Sequence, residues 1–156
     1  MPECVFCKIV SGDLSAHIVW QDENHVAFLT PWPNTVGFTV VIPKEHRPSY
    51  AFDNDDKILT DLTLAAKKVG KMIDAAFEDV GRTGLIYEGF GVDHLHAKLF
   101  PMHGTGNMQE WKEIKSNTDI YFEKYEGYIA SNDSKKVSDE ELEKVAKKIR
   151  EIHKLA

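Results

Sequence analysis

The sequence predicts an α+β fold, in which an antiparallel sheet of about five strands is combined with one long helix and a C-terminal helix. Three observations carry this prediction: short strand-like segments between turn residues, one long stretch of helical periodicity, and an amphipathic stretch at the end. A length of 156 residues suits a single domain, since chains contain on average roughly one domain per 150 residues.

The first strands are predicted at residues 17–20, 26–29 and 38–42, and the third is rich in β-branched side chains. Turn-forming residues separate them at 22–24 and 31–34. Short strands joined by such turns are typical of an antiparallel meander.

A long helix is predicted from Asp55 to about Phe77. Apolar residues recur there at helical spacing: Ile58, Leu59, Leu62, Ala65, Ala66, Val69, Met72, Ile73 and Ala76. Gly81 and Gly84 are then expected to bracket a turn that leads into strands at 85–87 and 92–100. A further strand is placed within 120–129.

The end of the chain predicts an amphipathic helix. Ser138 and Glu141 form a capping box, and a narrow apolar stripe follows it, namely Leu142, Val145, Ile149 and Ile152. We therefore divide the chain into a domain at 1–133 and a C-terminal helix at 134–156, packed on that domain or on a second subunit.

The composition is that of a globular protein and excludes several functions. The net charge is −6, and the absence of a basic block before the final helix speaks against nucleic-acid binding. No apolar run approaches the roughly 20 residues of a spanning helix, so no membrane association is expected and the protein is placed in the cytoplasm. The only two cysteines, Cys4 and Cys7, are too few to staple a secreted fold.

Residues 92–101 (VDHLHAKLFP) carry the most chemical information. In a strand, His94, His96 and Lys98 would share one face, and the apolar residues between them would share the other. Two imidazoles and an ammonium group are costly to bury without an anion or a metal. The alternative is a solvated strand face. The glycines at 89 and 91 favour the ligand site, because they let backbone N–H groups approach a phosphate.

These residues resemble the motif of the histidine-triad nucleotide-binding family. Residues 89–98 (GFGVDHLHAK) match the family's glycine turn, valine and His-x-His-x-His frame, with Lys98 in the last histidine position. Three upstream segments resemble family segments in the same order: 4–12 (CVFCKIVSG), 26–29 (VAFL) and 37–46 (GFTVVIPKEH). The resemblance runs from Cys4 to about Pro101 and implies the histidine-triad fold.

The resemblance implies roles for particular residues. His96 matches the histidine that attacks the α-phosphorus of a nucleotide and becomes a nucleotidyl-histidine, which requires a neutral imidazole oriented by a backbone carbonyl. Lys98 would act as an electrostatic clamp. The positions that match the nucleoside and phosphate pocket are Ile9, Phe28, Leu29, Thr30, Tyr87, Gly91 and Val92. A purine nucleotide as ligand and a homodimer are implied as well.

Cys4 and Cys7 are open to three interpretations: a redox pair, two free thiols, or half of a metal site. No βαβ pattern follows to favour the redox pair. The cysteine-bearing branch of the family implies a zinc ion held by Cys4, Cys7, His46 and His94. Four protein ligands leave no open position, so such a zinc would be structural. His103 could reach the site, although a role in a surface loop is simpler, and His17, His25 and His153 are interpreted as surface residues.

Three departures from the family pattern leave the reaction open. Lysine, with a usual pKa of about 10.4, is a poor acid at neutral pH, so Lys98 replaces the charge of the third histidine but not its acidity. Thr30 stands where many members have aspartate, and Tyr87 where hydrolytic members often have asparagine. The sequence therefore predicts a hydrolase of dinucleoside polyphosphates or nucleoside phosphoramidates, with a nucleotidyltransferase or phosphorylase and a catalytically silent nucleotide-binding protein as alternatives.

Overall fold

A computed structural model describes residues 4–106, 123–124 and 136–155 of the chain. Its helices are α1 (Val5–Ser11), α2 (Asp56–Ala76) and α3 (Asp139–Leu155), with a short 3-10 turn at Ala51–Asp53. Its strands are β1 (His17–Gln21), β2 (His25–Leu29), β3 (Thr39–Pro43), β4 (Val80–Ile86) and β5 (Ala97–His103). The predicted strand within 120–129, the boundary at 133 and the side chain of His153 lie outside these residues.

The five strands form one antiparallel sheet in the order β1-β2-β3-β5-β4. The first three strands are consecutive, as predicted for a meander, and β5 enters between β3 and β4 because the long helix α2 returns the chain across the sheet. The predicted α+β class, the five strands, the long helix and the C-terminal helix are confirmed.

The two faces of the sheet bury different clusters. One face meets α2 and α3 in the main core, to which Ala27, Val41 and Leu99 contribute from the sheet. The other face carries the α1-side cluster, formed by Val26, Phe28, Phe38, Val40 and Ile42 together with Phe6, Ile9 and Val10 of α1. Because neighbouring residues of a strand face opposite ways, β1, β2, β3 and β5 supply residues to both clusters.

Helix α1 was not predicted from the sequence. It has only 7 residues and no buried one, so it is too short to show a helical period. It ends at Gly12, whose φ of +84° is a left-handed conformation that glycine adopts without strain. The helix is held to the sheet through Phe6, whose ring meets that of Phe28 edge-on at 5.4 Å.

Two predictions about β4 and β5 were wrong. Gly81 and Gly84 do not bracket a turn, because both lie within β4. The β4–β5 pairing is irregular between Val80 and Thr83, where Gly81 lies, and a Cβ on Gly84 would be only 3.0 Å from the Met102 side chain. Glycine thus marks an irregularity and a close contact in this strand. The other prediction, a strand at 92–100, begins too early, since β5 starts at Ala97.

Helix α3 docks against α2 and β1 of the same chain. One half of the predicted capping box forms, because the Glu141 backbone N–H donates to Ser138 Oγ at 3.3 Å. The Glu141 carboxylate in turn accepts from the Ser138 hydroxyl at 3.0 Å. Leu142 and Ile149 are buried in the main core, and the Arg150 guanidinium donates to the Ile18 carbonyl at 2.6 Å. These contacts attach the end of the chain to the body of the sheet.

The docking of α3 predicts a clear difference between two leucine substitutions. Leu142→Ala should lower the free energy of unfolding by roughly 2 to 3 kcal/mol, because it removes a side chain buried between helix and sheet. Leu64→Ala, at a leucine of α2 that is 57% exposed, should change it by less than about 0.5 kcal/mol. Urea unfolding followed by circular dichroism measures both, and equal effects would contradict the described packing of α3.

The remaining predictions concern membrane association, the division of the chain, assembly and location. None of the described helices combines the length and the apolar character that a membrane-spanning helix requires. Pairing with a second copy, the division at 133 and a cytoplasmic location stay predictions.

Candidate active site and metal centre

The segment that joins β4 to β5 carries the residues singled out from the sequence. Gly89 and Gly91 adopt positive φ angles of +74° and +92°, which lets the chain turn sharply between the strands. Asp93 Oδ1 accepts a hydrogen bond from the Ser49 backbone N–H at 3.1 Å, and the Leu95 N–H donates to the Arg47 carbonyl at 2.9 Å. These bonds hold residues 93–95 against the segment that follows β3, although they are not part of a strand.

His96 is buried immediately before β5, with 2% of its surface exposed. Its Nδ1–H donates to the backbone carbonyl of His94 at 2.7 Å, because a carbonyl oxygen can only accept. The Nε2 atom therefore carries the free lone pair of a neutral imidazole. Burial lowers the pKa of His96; the His94 carbonyl and the Glu88 carboxylate raise it, and the Lys98 ammonium lowers it further. The net shift is downward, so the ring is neutral at neutral pH.

Lys98 is paired with a residue that the sequence analysis missed. Its ammonium group donates to Glu88 Oε2 at 2.6 Å, and the two side chains are only 14% and 10% exposed. The sequence separates these residues by ten positions across a glycine turn, so no local pattern announces the pair. One feature of the sequence could have indicated the pair: Glu88 is an acidic residue at the end of a predicted strand, and that strand is expected to pair with the strand that carries Lys98.

Cys4, Cys7, His46 and His94 form a compact group whose four ligand atoms all lie within 4.8 Å of one another. Cys4 Sγ is 3.4 Å from His94 Nδ1, Cys7 Sγ is 3.4 Å from His46 Nδ1, and Cys7 Sγ is 3.6 Å from His94 Nδ1. Three separate parts of the chain meet here: α1, the segment after β3, and the segment before β5. The group could hold a metal ion.

The donor set fits a tetrahedral ion. With metal–sulfur and metal–nitrogen bonds of about 2.3 and 2.05 Å, a tetrahedral sulfur–nitrogen edge is about 3.6 Å, close to the three distances seen. His94 Nε2–H donates to the Pro43 carbonyl at 2.8 Å, which leaves Nδ1 unprotonated toward the cysteines. Burial lowers the pKa of His94, which also favours the neutral, ligating form.

Not all of the predicted pocket residues come together. Ile9 and Phe28 meet in the α1-side cluster, whereas Leu29 faces the main core on the other side of the sheet. Thr30 follows β2 and its Oγ1 accepts from the Trp32 N–H at 3.3 Å. Gly91 is exposed and Val92 is half-buried in the turn before His96.

Tyr87 contacts the long helix α2. Its hydroxyl shares a hydrogen bond of 2.7 Å with Thr63 Oγ1 of α2, and its ring packs against the main core. Burial raises the pKa of this hydroxyl, and the bond to Thr63 partly offsets that rise. Tyr87 therefore ties the end of β4 to the long helix.

The other histidines divide between surface and interior. His25 was predicted at the surface and this was wrong: it is 6% exposed, and its Nδ1 lies 3.2 Å from Asp22 Oδ1. The chain turns at 22–24, which places the ring over its own turn. His17 lies between Asp139 and Glu143 of α3. His103 lies at the opposite end of β5 from His96, where it contacts Asp79 and the Val36 carbonyl.

The fold and the site agree with the class of protein that the sequence motif indicated. They combine a five-stranded antiparallel sheet, one long helix, and a buried histidine beside a Cys/His cluster. The HIT domain model matches residues 11–105, which is more than half of the 156 residues. The chain therefore belongs to the histidine-triad (HIT) family.

Individual relatives agree with this assignment. An uncharacterised HIT-like protein of Methanocaldococcus jannaschii is 31% identical over 75% of this chain and 92% of its own. An adenosine 5'-monophosphoramidase of Schizosaccharomyces pombe is 34% identical over 63% of this chain and 73% of its own. The crystal structure of a hypothetical histidine triad nucleotide-binding protein of Sulfolobus tokodaii aligns with a TM-score of 0.70 at 27% identity, covering 97% of this chain and 93% of that one.

Proposed function

We propose that this protein is a nucleotide hydrolase that acts at the α-phosphate of a purine nucleotide through a nucleotidyl-histidine on His96. The observation that carries this proposal is the orientation of the imidazole. The His94 carbonyl holds Nδ1–H at 2.7 Å, and burial keeps the ring neutral by lowering its pKa. A neutral, oriented imidazole is what a histidine nucleophile requires.

The reaction has two displacements at phosphorus. In the first, the Nε2 lone pair forms a bond to the α-phosphorus while the bond to the leaving group breaks; the leaving group departs with that electron pair and takes a proton from solvent where it needs one. In the second, water attacks the same phosphorus, the nitrogen–phosphorus bond breaks, its electron pair returns to Nε2, and the water releases a proton. The products are a nucleoside monophosphate and the leaving group.

Similarity to known proteins supports the substrate class. The Schizosaccharomyces pombe relative is an adenosine 5'-monophosphoramidase, and the Sulfolobus neighbour is described as nucleotide-binding. Ile9 and Phe28 are proposed to hold the nucleoside, because they form an apolar surface on the face of the sheet that also carries Lys98. Thr30, Gly91 and Val92 are proposed to border it. Leu29 and Tyr87 keep a proposed role only as supports, since both pack against the main core.

A trapping experiment tests the proposal. The protein is mixed briefly with adenosine 5'-monophosphoramidate or diadenosine tetraphosphate, quenched, and digested for mass spectrometry. We expect one adenylate increment on the peptide that contains His96, together with release of adenosine monophosphate. Absence of both adduct and product for both substrates, with the fold intact, would contradict the enzyme proposal; calorimetric binding without product would then indicate a silent binding protein. Turnover only with an added phosphate acceptor would indicate a transferase or phosphorylase.

We further propose that Cys4, Cys7, His46 and His94 hold a structural zinc ion. Two thiolates and two imidazoles are a donor set that zinc prefers, and four protein ligands close its coordination shell. When bound, the ion supplies a cross-link between distant parts of the chain and no reactive water. His94 contributes twice, because its side chain faces the cluster while its carbonyl orients His96.

A further inference from the structure

The buried pair of Lys98 and Glu88 changes the electrostatics expected at the phosphate end of the site. The sequence alone presented Lys98 as a lone cation that would clamp a phosphate. In the structure its charge is met by Glu88 at 2.6 Å, with both side chains largely buried. Breaking such a pair leaves an uncompensated charge in a low-dielectric environment. The pair is therefore a unit whose net charge is zero.

The strand register places this pair beside His96. Ile86 at the end of β4 lies opposite Lys98 of β5. Glu88 follows Ile86 by two residues and His96 precedes Lys98 by two, so the 2.6 Å bond between Glu88 and Lys98 holds Glu88 at the same end of β4 and β5 as His96. Because Lys98 follows His96 by only two residues and is bonded to Glu88, both charges lie close to the imidazole.

A phosphorus atom attacked by His96 must lie within bonding range of Nε2, and its leaving group departs in line on the opposite side of phosphorus. That group is still only a few ångström from the imidazole, so the charges of Lys98 and Glu88 act on it through the low-dielectric site. A lysine without a partner would favour any polyanionic leaving group. The carboxylate of Glu88 opposes that preference, because it repels an anionic leaving group and stabilises a leaving group that becomes cationic. The nitrogen of a phosphoramidate must gain a proton from solvent before it departs as ammonia, so it carries positive charge while the phosphorus–nitrogen bond breaks. Diadenosine tetraphosphate attacked at an α-phosphorus instead releases a highly anionic nucleoside triphosphate.

We propose that Glu88 is a specificity-determining residue which, through its pairing with Lys98, makes the site select amine over polyphosphate leaving groups. This inference rests on the proposed function. Because the preference for an amine leaving group then depends on the net charge of Glu88 and Lys98, removal of either charge should change that preference.

The experiment measures kcat/KM for adenosine 5'-monophosphoramidate and for diadenosine tetraphosphate, and compares their ratio among four proteins. The pair has net charge 0 in the wild type, +1 in Glu88→Gln, −1 in Lys98→Gln, and 0 in the double variant. We expect Glu88→Gln to shift the ratio about tenfold toward the polyphosphate and Lys98→Gln to shift it about tenfold toward the phosphoramidate. The double variant should return to within about threefold of the wild-type ratio.

Two controls keep the result interpretable. Glu140→Gln makes the same chemical change at an exposed residue of α3 and should leave the ratio unchanged. Thermal unfolding of each variant identifies structural damage, which would lower both kcat/KM values together and leave their ratio unchanged. If one single variant does not fold, the other still has to shift the ratio in its stated direction.

The outcomes separate this inference from the proposed function. A wild-type protein that cleaves neither substrate and forms no adduct contradicts the proposed function itself. An active wild type whose ratio does not move in Glu88→Gln or Lys98→Gln, or moves in the same direction in both, overturns the role of Glu88 and leaves the hydrolase intact.

Discussion

Replacing His96 with asparagine should abolish adenylate trapping and lower kcat/KM for adenosine 5'-monophosphoramidate by at least about a thousandfold, since loss of a nucleophile costs on the order of a thousandfold to a millionfold. Asparagine retains an N–H that can still reach the His94 carbonyl, which accepts the Nδ1–H of His96 at 2.7 Å. The substitution therefore removes the lone pair at Nε2 while preserving a donor in the buried site. Steady-state kinetics and mass spectrometry of the quenched enzyme measure the two effects.

The matched control is His103→Asn. His103 lies at the end of β5 that is far from His96, where it contacts Asp79 and the Val36 carbonyl. Its replacement should leave kcat/KM within about twofold. The dissociation constant for nucleotide, measured by calorimetry, should be within a few fold of the wild-type value in His96→Asn. Retention of more than a tenth of the activity by His96→Asn would refute His96 as the nucleophile.

Loss of the metal centre is expected to have the second large effect. Protein purified without chelator should contain about one zinc per chain, and His46→Ala should remove it. A ligand that binds only the folded chain stabilises it by about 4 kcal/mol when its concentration exceeds Kd a thousandfold, so the free energy of unfolding should fall by roughly that amount. Because His94 both faces the cluster and orients His96, activity should fall about tenfold or more.

His17→Ala provides the corresponding control. Within the described part of the chain, that imidazole forms hydrogen bonds with the exposed carboxylates of Asp139 and Glu143, and such surface pairs contribute less than about 1 kcal/mol. Metal content should be unchanged in this variant. A wild-type protein with clearly substoichiometric zinc, or a His46→Ala protein of undiminished stability, would exclude a structural zinc at this cluster.

The fold was predictable where apolar residues recur over enough chain to define a period. The long helix α2 and the strands β1 to β3 met that condition, and the structure places them within a few residues of their predicted bounds. Helix α1 and strand β4 did not. The seven residues of α1 are too few to show a helical period. The glycines of β4 are typical of a turn in the sequence, and only the structure shows that the Met102 side chain occupies the space beside Gly84.

The candidate site divides in the same way. His94, His96 and Lys98 were visible at once, because they alternate in ten residues of sequence beside a glycine turn. The strand parity used to group them was only partly right, since β5 begins at Ala97 and the two histidines are held instead by bonds to Pro43 and to each other. Glu88 was overlooked, because nothing local distinguishes it from the other acidic residues.

The sequence by itself determined the family, the α+β class, and the identity of the residues proposed to hold a metal and to attack phosphorus. Only the tertiary structure decided that Lys98 is neutralised by Glu88, that His25 is buried, and that Leu29 and Tyr87 face the core. The physical reason is that residue type and spacing specify which chemical groups are available. Their charge state, orientation and neighbours depend on strand register and on helices that join parts of the chain far apart in sequence.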